Sequence, residues 1–164
     1  MAREILMRFA ASGCGGSAMS DSTSIPAGAR PLGTHFLKVE DDIVFLIQDG
    51  DYTLDDAIKT HAEIEGVLGR LGRAFIMVDQ SKSGSTSAEV RRFIADWNKR
   101  HRASGAVMFG GSTVGRAAAT LALSAIRLLQ PDTMPTVFTR TEEEARAWIS
   151  SQRSRLSSSR PKAS

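Results

Sequence analysis

Three groups of residues in this 164-residue chain have types and spacing that could do chemistry. The first is Ser81-Lys82-Ser83-Gly84-Ser85-Thr86-Ser87, with five hydroxyls in seven residues ahead of an amphipathic helical pattern. A phosphate added there would lie at a helix amino terminus, where the macrodipole favours negative charge, so Ser85, Thr86 and Ser87 are candidate phosphate acceptors. The second is Gly110-Gly111-Ser112-Thr113-Val114-Gly115-Arg116, between an apolar run and a helical one. Backbone amides at such a turn can hold an anion, although the lysine and glycine spacing of a Walker loop is absent. Gly110, Gly111, Ser112 and Arg116 are therefore ligand-binding candidates, joined by Asp79 at the end of the preceding strand. A tight turn with Ser112 as N-cap accounts for the same residues without any ligand. The third group is His35, His61 and His101, which lack the spacing of a metal site and read as ordinary, partly exposed histidines. No nucleophile elbow of the G-x-S-x-G type occurs. No catalytic residue, metal or cofactor is assigned, and the chain is expected not to be an enzyme.

The elements that must position these residues follow from periodicity. His35–Val39 and Ile43–Ile47 read as an antiparallel pair of strands, ended by Asp49-Gly50-Asp51. Thr53 with Asp56 is a capping-box variant, and the helix it opens stops at Gly72. Ala74–Val78 is a strand buried on both faces, ended by Asp79 and followed by a polar loop from Gln80 to Ser85. Thr86 with Glu89 is a second capping box, opening a helix with an apolar stripe at Val90, Phe93, Ile94 and Trp97. Ala106–Phe109 is a strand, 113–129 a helix stopped by Pro131, and Pro135–Phe138 the last strand. Thr141 with Glu144 opens a final helix that buries Ala145, Trp148 and Ile149. The order β-β-α-β-α-β-α-β-α predicts a single α/β domain with a mostly parallel five-stranded sheet and an antiparallel edge strand. Ligands of open α/β sheets bind beyond the carboxyl ends of the strands, which here gather Asp49, Asp79, Gly110 and Arg140.

The formal net charge of +3 is unevenly spread. Thr34 to Ser150 holds 14 Lys/Arg against 16 Asp/Glu, whereas the end of the chain adds Arg153, Arg155, Arg160 and Lys162 with no acid. The predicted organisation is a disordered leader over 1–33, a folded domain over 34–150 and a disordered basic tail over 151–164. Met19 within the leader offers a second start. Cys14 is the only cysteine, so no intrachain disulfide or Cys-rich metal site is available, and a reducing, cytoplasmic location is expected. The apolar stretches are interrupted by charge short of the roughly 20 residues that cross a bilayer, so no transmembrane segment is expected. No nucleic-acid partner is expected either. The 113–129 segment is apolar almost all round, which suits burial, a homodimer face or an apolar groove.

Several stretches resemble the STAS/SpoIIAA-like family of anti-sigma factor antagonists and the branch of it allied to CRAL-TRIO domains. They are the paired opening strands through Gly50, Val78-Asp79, the serine-rich loop before Val90-Arg91-Arg92, and Phe138 followed by Glu143-Glu144-Ala145-Arg146-Ala147-Trp148-Ile149. The resemblance implies a SpoIIAA-like fold and a non-enzymatic regulatory domain whose partner is an anti-sigma, kinase-like protein. It also implies a serine phosphorylated at the start of the helix after the third strand, a position that falls among Ser85, Thr86 and Ser87. The family's Asp-Ser and Gly-Leu pairs at that site are replaced here by other residues. The alternative function is a small-ligand module, using the strand-end pocket for an anion, a nucleotide or a lipid.

Overall fold

The computed structural model describes residues 26–112 and 134–158. The elements are β1 (Arg30–Leu32), β2 (His35–Glu40), β3 (Ile43–Tyr52), α1 (Leu54–Leu71), β4 (Phe75–Thr86), α2 (Ala88–Arg100), β5 (Gly105–Phe109), β6 (Thr136–Phe138) and α3 (Glu142–Ser158). The six strands form one sheet in sequential order. β1, β2 and β3 pair antiparallel, and β3 to β6 pair parallel. The α/β class and the antiparallel entry agree with the sequence. The edge, however, is a sixth strand, β1, which folds back onto β2. The helix expected over 113–129, its homodimer face and Arg116 lie outside the described residues, as does Cys14.

Among the described residues, secondary structure is found outside the expected limits of 34 and 150 at both ends. Leu32 on β1 is buried in the core, and α3 continues to Ser158 because Arg153 is anchored on the domain. Low apolar content near the termini hid both anchors.

The apolar run of β3 divides by strand alternation between two cores. Val44 and Leu46 face α1 and α2, together with Ile64, Val67, Val90 and Trp97. Ile43, Phe45 and Ile47 face α3, together with Phe75, Met77, Val107, Ala145 and Ile149. Burial of both faces explains why β3 shows no polar alternation in sequence. The Trp97 indole N–H donates to Glu65 Oε1 at 2.6 Å and joins α2 to α1.

The helix ends obey local rules with one displacement. Thr53 and Asp56 complete both halves of the capping box, and Gly72 caps α1 at φ 67° with its N–H on the Leu68 carbonyl. The N-cap of α2 is Ser87, whose hydroxyl accepts from the Val90 N–H, and not Thr86 as expected. Thr86 is the last residue of β4 and pairs with Tyr52, so the next hydroxyl performs the capping. At α3 the Thr141 hydroxyl accepts from the Glu144 N–H, whereas the Glu144 carboxylate accepts from the Arg140 N–H.

Asp42, in the β2–β3 turn, is 1% exposed and joins the two layers. Its carboxylate accepts from Arg73 Nε, beyond α1, and from Arg153 Nε on α3 at 2.6 and 3.0 Å. Burial pushes this carboxyl up, but the bonds and charges of Arg153 and Arg73 more than offset it and hold Asp42 below the ordinary carboxylate value. A depressed carboxyl stabilises the fold fully above its unfolded pKa, near 3.9, and ceases to do so as the pH falls through the folded value. Asp42→Ala removes the shared acceptor of two half-exposed guanidiniums and is expected to cost about 2 kcal/mol. Urea unfolding at pH 7 measures that loss, and the variant should show a shallower decline in stability between pH 4 and pH 2 than the parent. An unchanged urea midpoint would contradict the role given to Asp42.

Candidate functional site

Beyond Ile47 and Asp79 the sheet narrows to two strands. β5 ends at Phe109 opposite Asp79, while β3 and β4 continue in parallel with Asp49 beside Lys82, Gly50 beside Ser83 and Tyr52 beside Thr86. The sequence places a strand end at Asp49-Gly50-Asp51 and a loop over Gln80–Ser85, and the structure corrects both. Two register shifts, between Ile47 and Asp49 and between Gly50 and Tyr52, let the ladder continue through polar residues. Side chains secure the ribbon that results. The Thr34 hydroxyl donates to the Asp49 carbonyl at 2.8 Å, and the Asp49 N–H donates to His35 Nδ1 at 2.9 Å. At the far end the Ser85 N–H and hydroxyl both donate to Asp51 Oδ1, at 2.7 and 2.9 Å.

Two glycines permit the close approach. A Cβ on Gly84 would stand 2.7 Å from the Gly50 carbonyl carbon and 2.8 Å from the Asp51 nitrogen. A Cβ on Gly110, at φ 74°, would stand 2.7 Å from the Ser81 nitrogen and 3.0 Å from Asp79 Oδ1. The alternation of Ser81, Ser83 and Ser85 is the sequence signal of this strand. It is hidden because hydroxyl and glycine content reads equally well as loop.

The expected phosphate acceptors thus stand together at the junction of β4 and α2, in three different settings. Ser85 is exposed, with its hydroxyl on Asp51. Thr86 is half-buried, and its carbonyl accepts from the Arg91 guanidinium. Ser87 is exposed and engaged as the N-cap of α2. The N–H and then the hydroxyl of Ser85 hold the Asp51 carboxyl below its ordinary value.

Of the ligand candidates, Asp79 and Gly110 meet, and Gly111 and Ser112 follow Gly110 directly. Asp79 is buried, and its Oδ1 accepts from the Ser81 N–H and hydroxyl at 2.9 and 2.6 Å. This carboxylate closes the start of the ribbon. Among the described residues the same edge carries Asp49, Asp51, Asp55, Glu89, Glu142 and Glu143 against Lys82, Arg91 and Arg140, an acidic balance that opposes an anionic ligand.

His35 and His61 are buried and not partly exposed as expected. His35 packs on Tyr52, and its Nε2 lies 3.4 Å from Asp56 Oδ2. Burial, with a smaller contribution from Asp56, pushes the Tyr52 phenol up to about 12 against the Thr60 hydrogen bond. His61 packs edge-on against Phe93 and Trp97, and desolvation lowers its pKa although the Ala57 carbonyl favours the charged form. His101 alone is half-exposed, stacked on Trp97. Among the described residues no group of His, Cys, Asp or Glu could hold a metal ion.

No protein-family model and no curated sequence matches the chain. Among solved structures, an uncharacterized protein of the DUF3478 family from Shewanella loihica, with a SpoIIAA-like fold, matches 71% of this chain and 92% of its own. The sequences are 14% identical, and the TM-score is 0.52. The fold is SpoIIAA-like. The unphosphorylated anti-sigma factor antagonist SpoIIAA matches 71% of this chain and 98% of its own, at 12% identity and a TM-score of 0.43. Within this SpoIIAA-like fold, Gly84 and Gly110 permit the close backbone approach of the ribbon. Gly84→Ala and Gly110→Ala are each expected to destabilise by about 2 kcal/mol, whereas Ser83→Ala should leave the urea midpoint essentially unchanged. Equal effects of the glycine and serine variants would show that the ribbon is not set by backbone contact.

Proposed function

We propose that this domain is a regulatory protein-interaction module whose working surface is the β3–β4 ribbon with the start of α2, switched by phosphorylation of Ser85. The observation that carries this reading is the pair of bonds from Ser85 to the Asp51 carboxylate, which lies on the facing strand. Phosphorylation replaces the donating hydroxyl by a group of about −1.5 to −2 charge beside that carboxylate, so attraction across the ribbon becomes repulsion. Ser87 would respond differently. A phosphate there extends the capping of α2 and gains from the helix dipole, leaving the ribbon closed. Thr86 is the least accessible of the three.

The SpoIIAA-like fold supports an interaction role, and among the described residues no helix is long and apolar enough to cross a membrane. The partner is a kinase-like protein that reads the ribbon in its closed form. Binding of a nucleotide or other anion at the strand ends is the weaker reading, because the Asp79 carboxylate lies beside Gly110 and its Oδ1 atom already accepts from Ser81.

The test is incubation of the purified chain with cell lysate and ATP, with site mapping by mass spectrometry and capture of partners. The expected result is phosphate on Ser85, no modification at this junction in Ser85→Ala, and a partner retained by Ser85→Ala but released by Ser85→Glu. Absence of phosphate at Ser85, or a partner indifferent to both variants, overturns the switch.

A further inference from the structure

The two ends of the domain carry opposite charge. Each crossover helix runs back from the carboxyl ends of the strands to their amino ends, so the last turns of α1 and α2 meet at one edge. Contacts fix the placement: the Phe75 N–H bonds the Asp42 carbonyl, the Ser104 N–H bonds the Ala74 carbonyl, and Arg73 and Arg153 reach Asp42. This edge exposes Arg70, Arg100, Arg102 and Arg155, none of which has a carboxylate partner among the described residues. Asp42 is already matched by two arginines and Asp96 by Lys99, which leaves Asp41 as the exposed acid of the turn. The opposite edge is the acidic one described above.

Apolar groups lie among these cations. Leu71 is 50% exposed between Arg70 and Arg73, and Leu156 is 43% exposed next to Arg155. A concavity of about 520 Å³ opens here, lined by Asp41, Asp42, Arg70, Leu71, Arg73 and Arg153. We propose that this amino-end rim docks the domain on an anionic phospholipid surface.

The exposed leucines favour a bilayer over a nucleic acid, and the distribution of charge orients the domain on it. The last turns of α1 and α2 present carbonyls and not N–H donors, so the rim offers long-range attraction without a fixed phosphate cradle. Leucines among arginines suit the headgroup boundary, where an apolar side chain can enter and the cations remain at the phosphates. The acidic far edge is repelled by the same surface, which orients the domain and leaves the β3–β4 ribbon pointing away, accessible to a partner. Attraction of this kind contributes about fivefold in affinity per cation near the surface and weakens with salt. The docking does not depend on the phosphorylation of Ser85.

The test is flotation of the full chain with vesicles of phosphatidylcholine containing phosphatidylglycerol, and with phosphatidylcholine alone. Binding to the anionic vesicles only, reduced by added salt, is expected. The triple variant Arg70→Glu, Arg102→Glu, Arg155→Glu should bind at least about a hundredfold more weakly, while the urea midpoint falls only slightly, because among the described residues these side chains hold no ion pair and act only as charges near helix ends. Lys82→Glu, on the ribbon, should bind as the parent does. Arg160→Ser with Lys162→Ser, in the terminal segment, should retain most of the affinity. Failure to bind anionic vesicles at low salt overturns the proposal. So does binding that survives the triple variant, binding lost with the Arg160 and Lys162 changes alone, or tighter retention on duplex DNA than on the vesicles.

Discussion

The parallel pairing of β3 with β4 is the constraint on which the other features rest. It begins inside the sheet, where Ile43 lies beside Phe75, and continues past the last residues of every other described strand to Thr86. Inside the sheet the pair is held by burial on both faces, which contributes the larger share of stability at roughly 25 cal/mol per Å² of apolar area removed from water. Beyond the sheet no such burial is available. The ladder there persists because Thr34 and His35 clamp Asp49, because glycine at 84 admits the facing backbone, and because Asp51 collects both donors of Ser85. The ribbon is therefore marginal by construction, secured by a few polar contacts instead of a core, and a single added charge weighs heavily on it.

A second consequence of the parallel pairing is the polarity of the molecule. Parallel strands require crossovers, and crossover helices return to the amino edge. Acids enriched in the first turns of α1, α2 and α3 and bases in their last turns then accumulate at opposite edges of the sheet. Residues chosen to complement individual helix dipoles thus add up to a domain-scale separation of charge. The same geometry brings Arg73 and Arg153 from opposite faces of the sheet to Asp42, so the basic edge is also where the two layers are joined.

The chain by itself determined the α/β class, the antiparallel entry, most of the strand and helix centres, the capping box at Thr53 and the stop at Gly72. These depend on periodicity and on groups within four residues of each other, and that information is present in any window of the sequence. The tertiary structure alone decided the continuation of β3 and β4 through Asp49–Tyr52 and Ser81–Thr86, the strand at Arg30–Leu32, and the burial of His35 and His61. The ribbon and the burial of His61 depend on partners distant in sequence, with Asp51 34 residues from Ser85 and His61 packed on Trp97, whereas the strand at Arg30–Leu32 pairs with its neighbour β2 and is fixed by burial of Leu32 in the core. A hydroxyl-rich segment has no preference of its own between loop and strand, because its backbone groups can bond to water as readily as to a neighbour. Only the nearby β3 backbone, with a glycine small enough to meet it, makes that choice.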